Sequence, residues 1–189
     1  ADDPGMGSSQ NEQDNRRYAV AASVMMLEPA DAQEAYDFLF DAFTLSETWK
    51  LPVMFRMTTR VCHSRGIVTP RPPAPQANAP HFVRDRAAYV MIPGYAKPAH
   101  KRMRAKMERI LEWNEACSLN KVFMKDTSLG IITASVAFQH AREAAPNASI
   151  LKLGMTYPLP MQLIRNFAES VDRCVVIEGT QGYGLGLHA

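Results

Sequence analysis

The stretch LGIITASVAFQHAREAAPNASILKLGMTYPLPMQLIRNFAESVDRCVVIE, Leu129 to Glu178, decides the fold. It opens on an apolar run, Leu129 to Ala134, suited to a buried strand, and passes into Ser135 to Ala145, where Val136, His140 and Ala144 share one helical stripe. The alternation then repeats. Ser149 to Met155 reads as a strand, Leu159 to Ser170 as a helix begun by Pro160, and Cys174 to Glu178 as a closing strand. Strand, helix, strand, helix, strand with short connections predicts a parallel sheet with right-handed crossovers, hence an α/β domain. His140 reads as a half-buried helix histidine, because no second His, Cys or carboxylate stands at metal-ligand spacing on its face.

Working upstream, Pro98 to Cys117 predicts a long helix. Lys101, Arg102, Arg104, Lys106 and Arg109 alternate in it with Met103, Met107, Ile110, Leu111 and Trp113, so the charges form a solvated face and the apolar residues pack. Ala88 to Ile92 reads as a short strand stopped by Pro93-Gly94. Between Thr69 and Pro80 the composition shifts to five prolines, which neither a helix nor a central strand survives. The chain therefore divides into a first segment, residues 1–68, a proline-rich linker, 69–87, and the α/β domain, 88–189.

In the first segment Tyr18 to Met26 suits either a buried strand or a helical turn. Asp31 followed by Glu34 has the form of a helix N-cap with a reciprocating carboxylate, and predicts a helix from about Ala32 to Trp49. Its apolar face is read as Ala35, Leu39, Ala42, Phe43 and Leu45, with Tyr36, Phe38 and Phe40 spreading it sideways, as in a helix packed on more than one side. Leu51 to Thr58 follows as a buried parallel strand. Thr58, Thr59, Arg60, His63, Ser64 and Arg65 then lie at a strand's carboxyl end, where open α/β sheets place ligand-facing loops, although a strand exit also uses such groups to tie down a loop. At the N-terminus Ser8, Ser9, Gln10, Asn11, Glu12, Gln13 and Asp14 put seven hydrogen-bonding side chains in a row, which fits a solvated terminus or a binding loop.

Composition excludes several classes. The 189 residues are 47% hydrophobic and 21% charged, as in an ordinary globular protein, and the net charge of +2 gives no basis for nucleic-acid binding. No apolar run is long enough to span a membrane and no signal peptide is legible, so a cytoplasmic location is expected. Cys62, Cys117 and Cys174 are too widely spaced for a disulfide framework or a metal motif. Gly182, Gly184 and Gly186 open no helix and fail as a nucleotide fingerprint.

Several blocks, in order, carry a resemblance: Ala1-Asp2-Asp3-Pro4-Gly5, Ser8 to Asp14, Leu27-Glu28-Pro29, Gln33 to Asp37, Leu51-Pro52-Val53, Thr58-Thr59-Arg60, His63-Ser64-Arg65 and Leu153 to Pro160. Together they resemble the alpha subunits of indolepyruvate:ferredoxin oxidoreductases, within the thiamine diphosphate-dependent 2-oxoacid:ferredoxin oxidoreductase family. The resemblance implies that residues 1–68 are the C-terminal part of a pyrimidine-binding domain and 88–189 a transketolase C-terminal-like parallel α/β domain. The chain departs from the family at Gly7, where a histidine is usual, and from Gly179 onward.

For the full enzyme the resemblance implies oxidative decarboxylation of arylpyruvates to the acyl-CoA, with thiamine diphosphate, Mg and 4Fe-4S clusters as cofactors and electrons passed to ferredoxin. It implies as partners the remaining domains of the alpha subunit and the beta subunit, with coenzyme A and arylpyruvate as substrates. This chain looks like an internal fragment, inactive alone, binding no cofactor alone and holding no certain catalytic residue or metal site. Its candidates at the substrate and cofactor edge are Ser8, Ser9, Gln10, Asn11, Glu12, Gln13, Asp14, Arg60 and His63. Arg60 could pair with a carboxylate and His63 shuttle a proton, or both could brace the junction between domains. A non-catalytic α/β interaction module descended from the same family is the alternative.

Overall fold

The computed structural model describes residues 13–72 and 82–179. The first segment folds as α1 (Arg16–Ala22), β1 (Met25–Leu27), α2 (Ala32–Trp49), β2 (Val53–Phe55) and α3 (Thr59–His63). After it come α4 (Arg86–Tyr89), α5 (Pro93–Asn114), β3 (Lys121–Phe123), β4 (Asp126–Ala134), α6 (Ala137–Ala144), β5 (Ala148–Leu153), β6 (Met155–Tyr157), α7 (Met161–Glu169) and β7 (Cys174–Ile177).

The sheet expected from Leu129 to Glu178 forms around β4, which pairs in parallel with β5 on one side and β7 on the other. Sequence reading missed β3, a three-residue strand that joins β5 antiparallel and completes the order β3-β5-β4-β7. A second sheet has the order β2-β1-β6, with β1 parallel to β2 and β6 antiparallel to β1. The single strand expected over Ser149 to Met155 is thus two strands in different sheets, separated at Gly154. A Cβ on Gly154 would stand 2.3 Å from the Leu119 carbonyl oxygen and 2.9 Å from the Phe38 ring, so only glycine lets the backbone cross there.

Helix α2 starts as its sequence predicts. Asp31 Oδ1 accepts the Glu34 N–H at 2.9 Å, and Glu34 Oε2 accepts the Ala30 N–H at 3.0 Å, one residue before the position of a standard capping box. The apolar face is corrected: Glu34, Phe38, Ala42 and Leu45 are buried, whereas Leu39, Phe40 and Phe43 face outward. Phe38, Ala42 and Leu45 join Met25, Leu27, Ile110, Leu119 and Met155 in a core that draws on both halves of the chain.

Three further expectations are corrected. Ala88 to Ile92 is not a strand: Asp85 Oδ1 accepts the Ala88 N–H and starts the short helix α4. Pro93 does not stop the chain but begins α5, the position where a missing N–H costs nothing. On α6 the buried stripe is Ala137, Phe138 and Ala141, which leaves His140 exposed. The proline-rich stretch begins against α2, where the Gln33 side chain pairs with the Thr69 backbone and Arg71 Nε donates to Asp37 Oδ1 at 2.8 Å.

Candidate functional site

The parallel strands β1 and β2 of one sheet, and β4 and β7 of the other, release their carboxyl ends into a common crevice. Open α/β sheets bind ligands at such ends. Glu28 leaves β1 with its N–H on the Gly154 carbonyl at 2.9 Å, and Arg56 leaves β2 with its N–H on the Leu27 carbonyl at 2.9 Å. The backbone therefore delivers an acid and a base side by side. Arg56 Nη1 and Glu28 Oε2 are 3.0 Å apart, with side chains only 4% and 3% exposed.

A second pair lies beside them. Arg16, on the first turn of α1, donates through Nε and Nη2 to both carboxylate oxygens of Asp14 at 2.8 Å, a forked geometry that fixes the guanidinium plane. Its Nη1 lies 3.3 Å from Glu178 Oε1 at the end of β7. One buried arginine thus ties the first segment to the last strand.

The crevice holds a cavity of about 330 Å³. Val20, Met26, Leu111, Leu159 and Met161 give it an apolar wall, and Arg16, Glu28, Arg56, Glu178 and the hydroxyl residues Thr58, Ser135 and Thr156 line its polar side. Glu28 Oε1 and Thr58 Oγ1 are buried and make no hydrogen bond among the described residues. The Thr156 hydroxyl stands beside the Glu28 carboxylate, near enough to favour its charged form, without meeting the geometry of a hydrogen bond.

Burial raises the Glu28 pKa above the ordinary 4.5, and the Arg56 and Arg16 guanidinium groups offset only part of that. Burial also works against the Asp14 carboxylate, but its hydrogen bonds and attraction to Arg16 outweigh it and hold the carboxyl below 3.8. Glu28 in the cavity wall and Asp14 one contact behind it, through Arg16, are thereby driven in opposite directions, an arrangement seen at chemically active sites.

The crevice is braced from behind. Asn114, wholly buried, donates to the Pro158 carbonyl at 2.7 Å and the Met155 carbonyl at 3.3 Å. Asn120 Oδ1 accepts the Gly154 and Met155 N–H groups at 3.0 and 3.3 Å. Glu115 accepts the Gln162 and Leu163 N–H groups at the start of α7, at 3.0 and 2.7 Å. These three side chains, from the end of α5 and just after it, fix the Gly154 to Leu163 segment that forms one wall.

Of the residues singled out from sequence, Ser8, Ser9, Gln10, Asn11 and Glu12 lie outside the described residues. Gln13 is exposed and donates to Asn15 Oδ1, whereas Asp14 enters the crevice through Arg16. Arg60 and His63 sit exposed on α3 and are not in the cavity wall, although Thr58, just before them, is. Sequence reading did not single out Arg16, Arg56 or Glu178 as site residues, and met Glu28 only within the block Leu27-Glu28-Pro29. The available signal was a charge interrupting or ending each of the apolar runs at Glu28, Arg56 and Glu178. The cysteines do not gather: Cys117 is buried, Cys62 and Cys174 are exposed, and no group of three or more His, Cys, Asp or Glu among the described residues could hold a metal ion.

A family model described as "Pyruvate flavodoxin/ferredoxin oxidoreductase, thiamine diP-bdg" matches residues 3–123. The chain is 39% identical over 184 residues to the indolepyruvate oxidoreductase subunit IorA of Methanothermobacter thermautotrophicus, covering 94% of this chain and 30% of the relative. It is 35% identical over 183 residues to the subunit of the same name from Archaeoglobus fulgidus, covering 94% of this chain and 29% of that one. The chain thus spans about 30% of the length of the curated relatives it matches. Among solved structures, a 2-oxoglutarate:ferredoxin oxidoreductase from Magnetococcus marinus, with 2-oxoglutarate, coenzyme A and succinyl-CoA bound, shares the fold. The TM-score is 0.54 and the identity 14%, covering 80% of this chain and 34% of that one.

Proposed function

Because the chain belongs to the thiamine diphosphate-binding family of pyruvate flavodoxin/ferredoxin oxidoreductases, we propose that it is a part of an arylpyruvate:ferredoxin oxidoreductase. The whole enzyme would oxidatively decarboxylate a 2-oxoacid to its acyl-CoA and pass the electrons to ferredoxin. The observation that carries this reading is the 39% identity, spread over 94% of the chain, to a subunit named for indolepyruvate.

In this reading residues 1–68 supply the later part of the pyrimidine-binding domain, 69–87 the connector and 88–189 a transketolase C-terminal-like domain. The polar run Ser8 to Asp14, with Arg60 and His63, borders the substrate and cofactor. The remaining domains, a second subunit and ferredoxin are the partners, and the iron-sulfur clusters and Mg belong to them.

Thiamine diphosphate needs a metal-bound diphosphate and a carboxylate on its pyrimidine. The described residues do not fit the first requirement. The crevice acids Asp14, Glu28 and Glu178 each lie within 2.8 to 3.3 Å of an arginine nitrogen, so no oxygen cage is left for a metal. What these residues can do is present an apolar wall with a few fixed polar groups, which can bind and orient a substrate.

The test replaces the aligned region of the Methanothermobacter subunit with this chain, assembles the enzyme with its partner subunit, and follows coenzyme A-dependent reduction of a viologen dye. Indolepyruvate should be oxidised in preference to 2-oxoglutarate and pyruvate. An assembled enzyme that prefers either of those acids, or oxidises none, would overturn the proposal.

A further inference from the structure

Helix α5 leaves most of its length uncovered. From Pro93 to Arg109 it contributes no buried side chain, and Ile110 and Asn114 alone are buried. On its outer side Lys97, Lys101, Arg104, Glu108 and Glu112 recur at intervals of three and four residues, which sets them on one stripe. All five are exposed, and none of them makes an ion pair among the described residues.

The order of signs on that stripe is costly for a helix standing alone. A solvated face gains from opposite charges at i, i+4 and loses from like ones. Here Lys97, Lys101 and Arg104 are like-charged neighbours, as are Glu108 and Glu112, and no acid stands between Asp85 and Glu108. A stripe that is positive along its first part and negative along its second is complementary to itself when turned end for end. We propose that α5 docks a second copy of this chain, antiparallel, about a two-fold axis between Arg104 and Ala105. Lys97 then faces Glu112, and Lys101 faces Glu108, once on each side of the axis.

The pattern selects both the occupant and its direction. A parallel pair would set like charges opposite each other. A nucleic acid or an anionic membrane attracted by Lys97, Lys101 and Arg104 would be repelled by Glu108 and Glu112 on the same stripe. Ala105 is exposed and small, so the helices can approach closely at the axis. Exposed ion pairs add little affinity, and their work here is to fix register. Apolar area comes from Val90, Met91 and Ile92, each about half exposed just ahead of α5, which in this arrangement lie beside the far end of the other copy's helix.

The test uses the full 189-residue chain carrying F43S, which removes the exposed Phe43 of α2 from contacts between copies. Light scattering against concentration gives the dissociation constant. K101E alone and E108K alone each place like charges opposite one another at both ends of the contact, and each should raise that constant about tenfold. K101E/E108K reverses both signs, restores the pairing, and should return it to within about threefold of the parent chain. Raising the salt from about 50 to about 500 mM should weaken the parent and tighten either single variant. All these positions are exposed, so the fold is retained. A parent that stays monomeric at about 100 μM, single variants that match it, or a double variant no tighter than either single one would overturn the proposal.

Discussion

At the residue scale, Glu28 and Gly154 each answer to one dominant cost. Burial holds the Glu28 carboxyl more tightly protonated in the folded chain than in the unfolded one, where its pKa is near 4.5. Its contribution to stability is therefore complete below pH 4.5 and is lost as the pH rises through the raised folded value. In urea denaturation, wild type should lose stability relative to E28Q as the pH is raised from 4.5, at a slope of up to about 1.4 kcal/mol per pH unit. Asp14, held below 3.8 by Arg16, acts in the opposite sense at lower pH, losing stability as the pH falls, and is common to both proteins. A difference that stays flat with pH would refute the assignment. For Gly154 the obstacle is backbone: G154A would put a methyl 2.3 Å from the Leu119 carbonyl oxygen, and the crossing from β5 to β6 cannot shift without moving both sheets. Its midpoint of denaturation should fall by at least as much as that of a typical overpacked core variant, about 1–3 kcal/mol. Both residues were partly legible. Gly154 falls in the block Leu153 to Pro160 and Glu28 in Leu27-Glu28-Pro29, both of which carry the family resemblance. Their neighbours at the site were not, because the pairing of Glu28 with Arg56 depends on two strands lying in parallel register, Leu27 opposite Phe55.

At the element scale, the start of α2 is tied to the larger sheet through a buried charge. Lys152 on β5 is wholly buried, with its ammonium 4.7 Å from the centre of the Phe38 ring and ion-paired to Glu34 Oε2. Burial lowers the Lys152 pKa from 10.5, against the pull of Glu34. Lys121 approaches the other Glu34 oxygen at 3.4 Å, and the N-cap residue Asp31 accepts from Gln139 of α6 at 2.9 Å. One helix start is thus tied to β3, β5 and α6. E34Q should cost about 3–5 kcal/mol, because it leaves a buried ammonium without its counter-charge. The double variant E34L/K152M, which removes both charges, should recover most of that loss in the same denaturation measurement. Additive losses in the double variant would show that the pair is not coupled. The sequence marked this helix start correctly through Asp31 and Glu34, since capping is a local pattern. It could not reveal that Glu34 also serves a lysine 118 residues away. The misread face of α2 has the same origin: Leu39 and Phe43 satisfy an apolar helical stripe, yet the tertiary partners lie on the Phe38, Ala42 and Leu45 side.

At the scale of the whole molecule, periodicity identified the helices and parallel strands of the larger sheet but not the joining of the two halves. Strand β6 has three residues, Met155, Thr156 and Tyr157, too few to show a period, and its partner β1 lies more than a hundred residues earlier. The surfaces left over make a further prediction. Phe43 and Tyr89 are each 68% exposed, Leu39 and Phe40 are nearly half exposed, and Val90, Met91 and Ile92 form an open apolar run ahead of α5. Single exposed apolar residues are ordinary, but clusters on a helix face and along a connecting arm exceed what soluble monomers usually display. The +2 net charge offers little repulsion to hold copies apart. The chain on its own should therefore associate with a dissociation constant in the range of about 1–100 μM, seen as a mass that rises with concentration in light scattering after gel filtration. F43S should weaken association through α2, and I92S association through the arm, with neither altering the fold, because both side chains point away from the core. The double variant should run as a monomer across that range. A wild-type chain that stays monomeric at about 100 μM would refute this prediction.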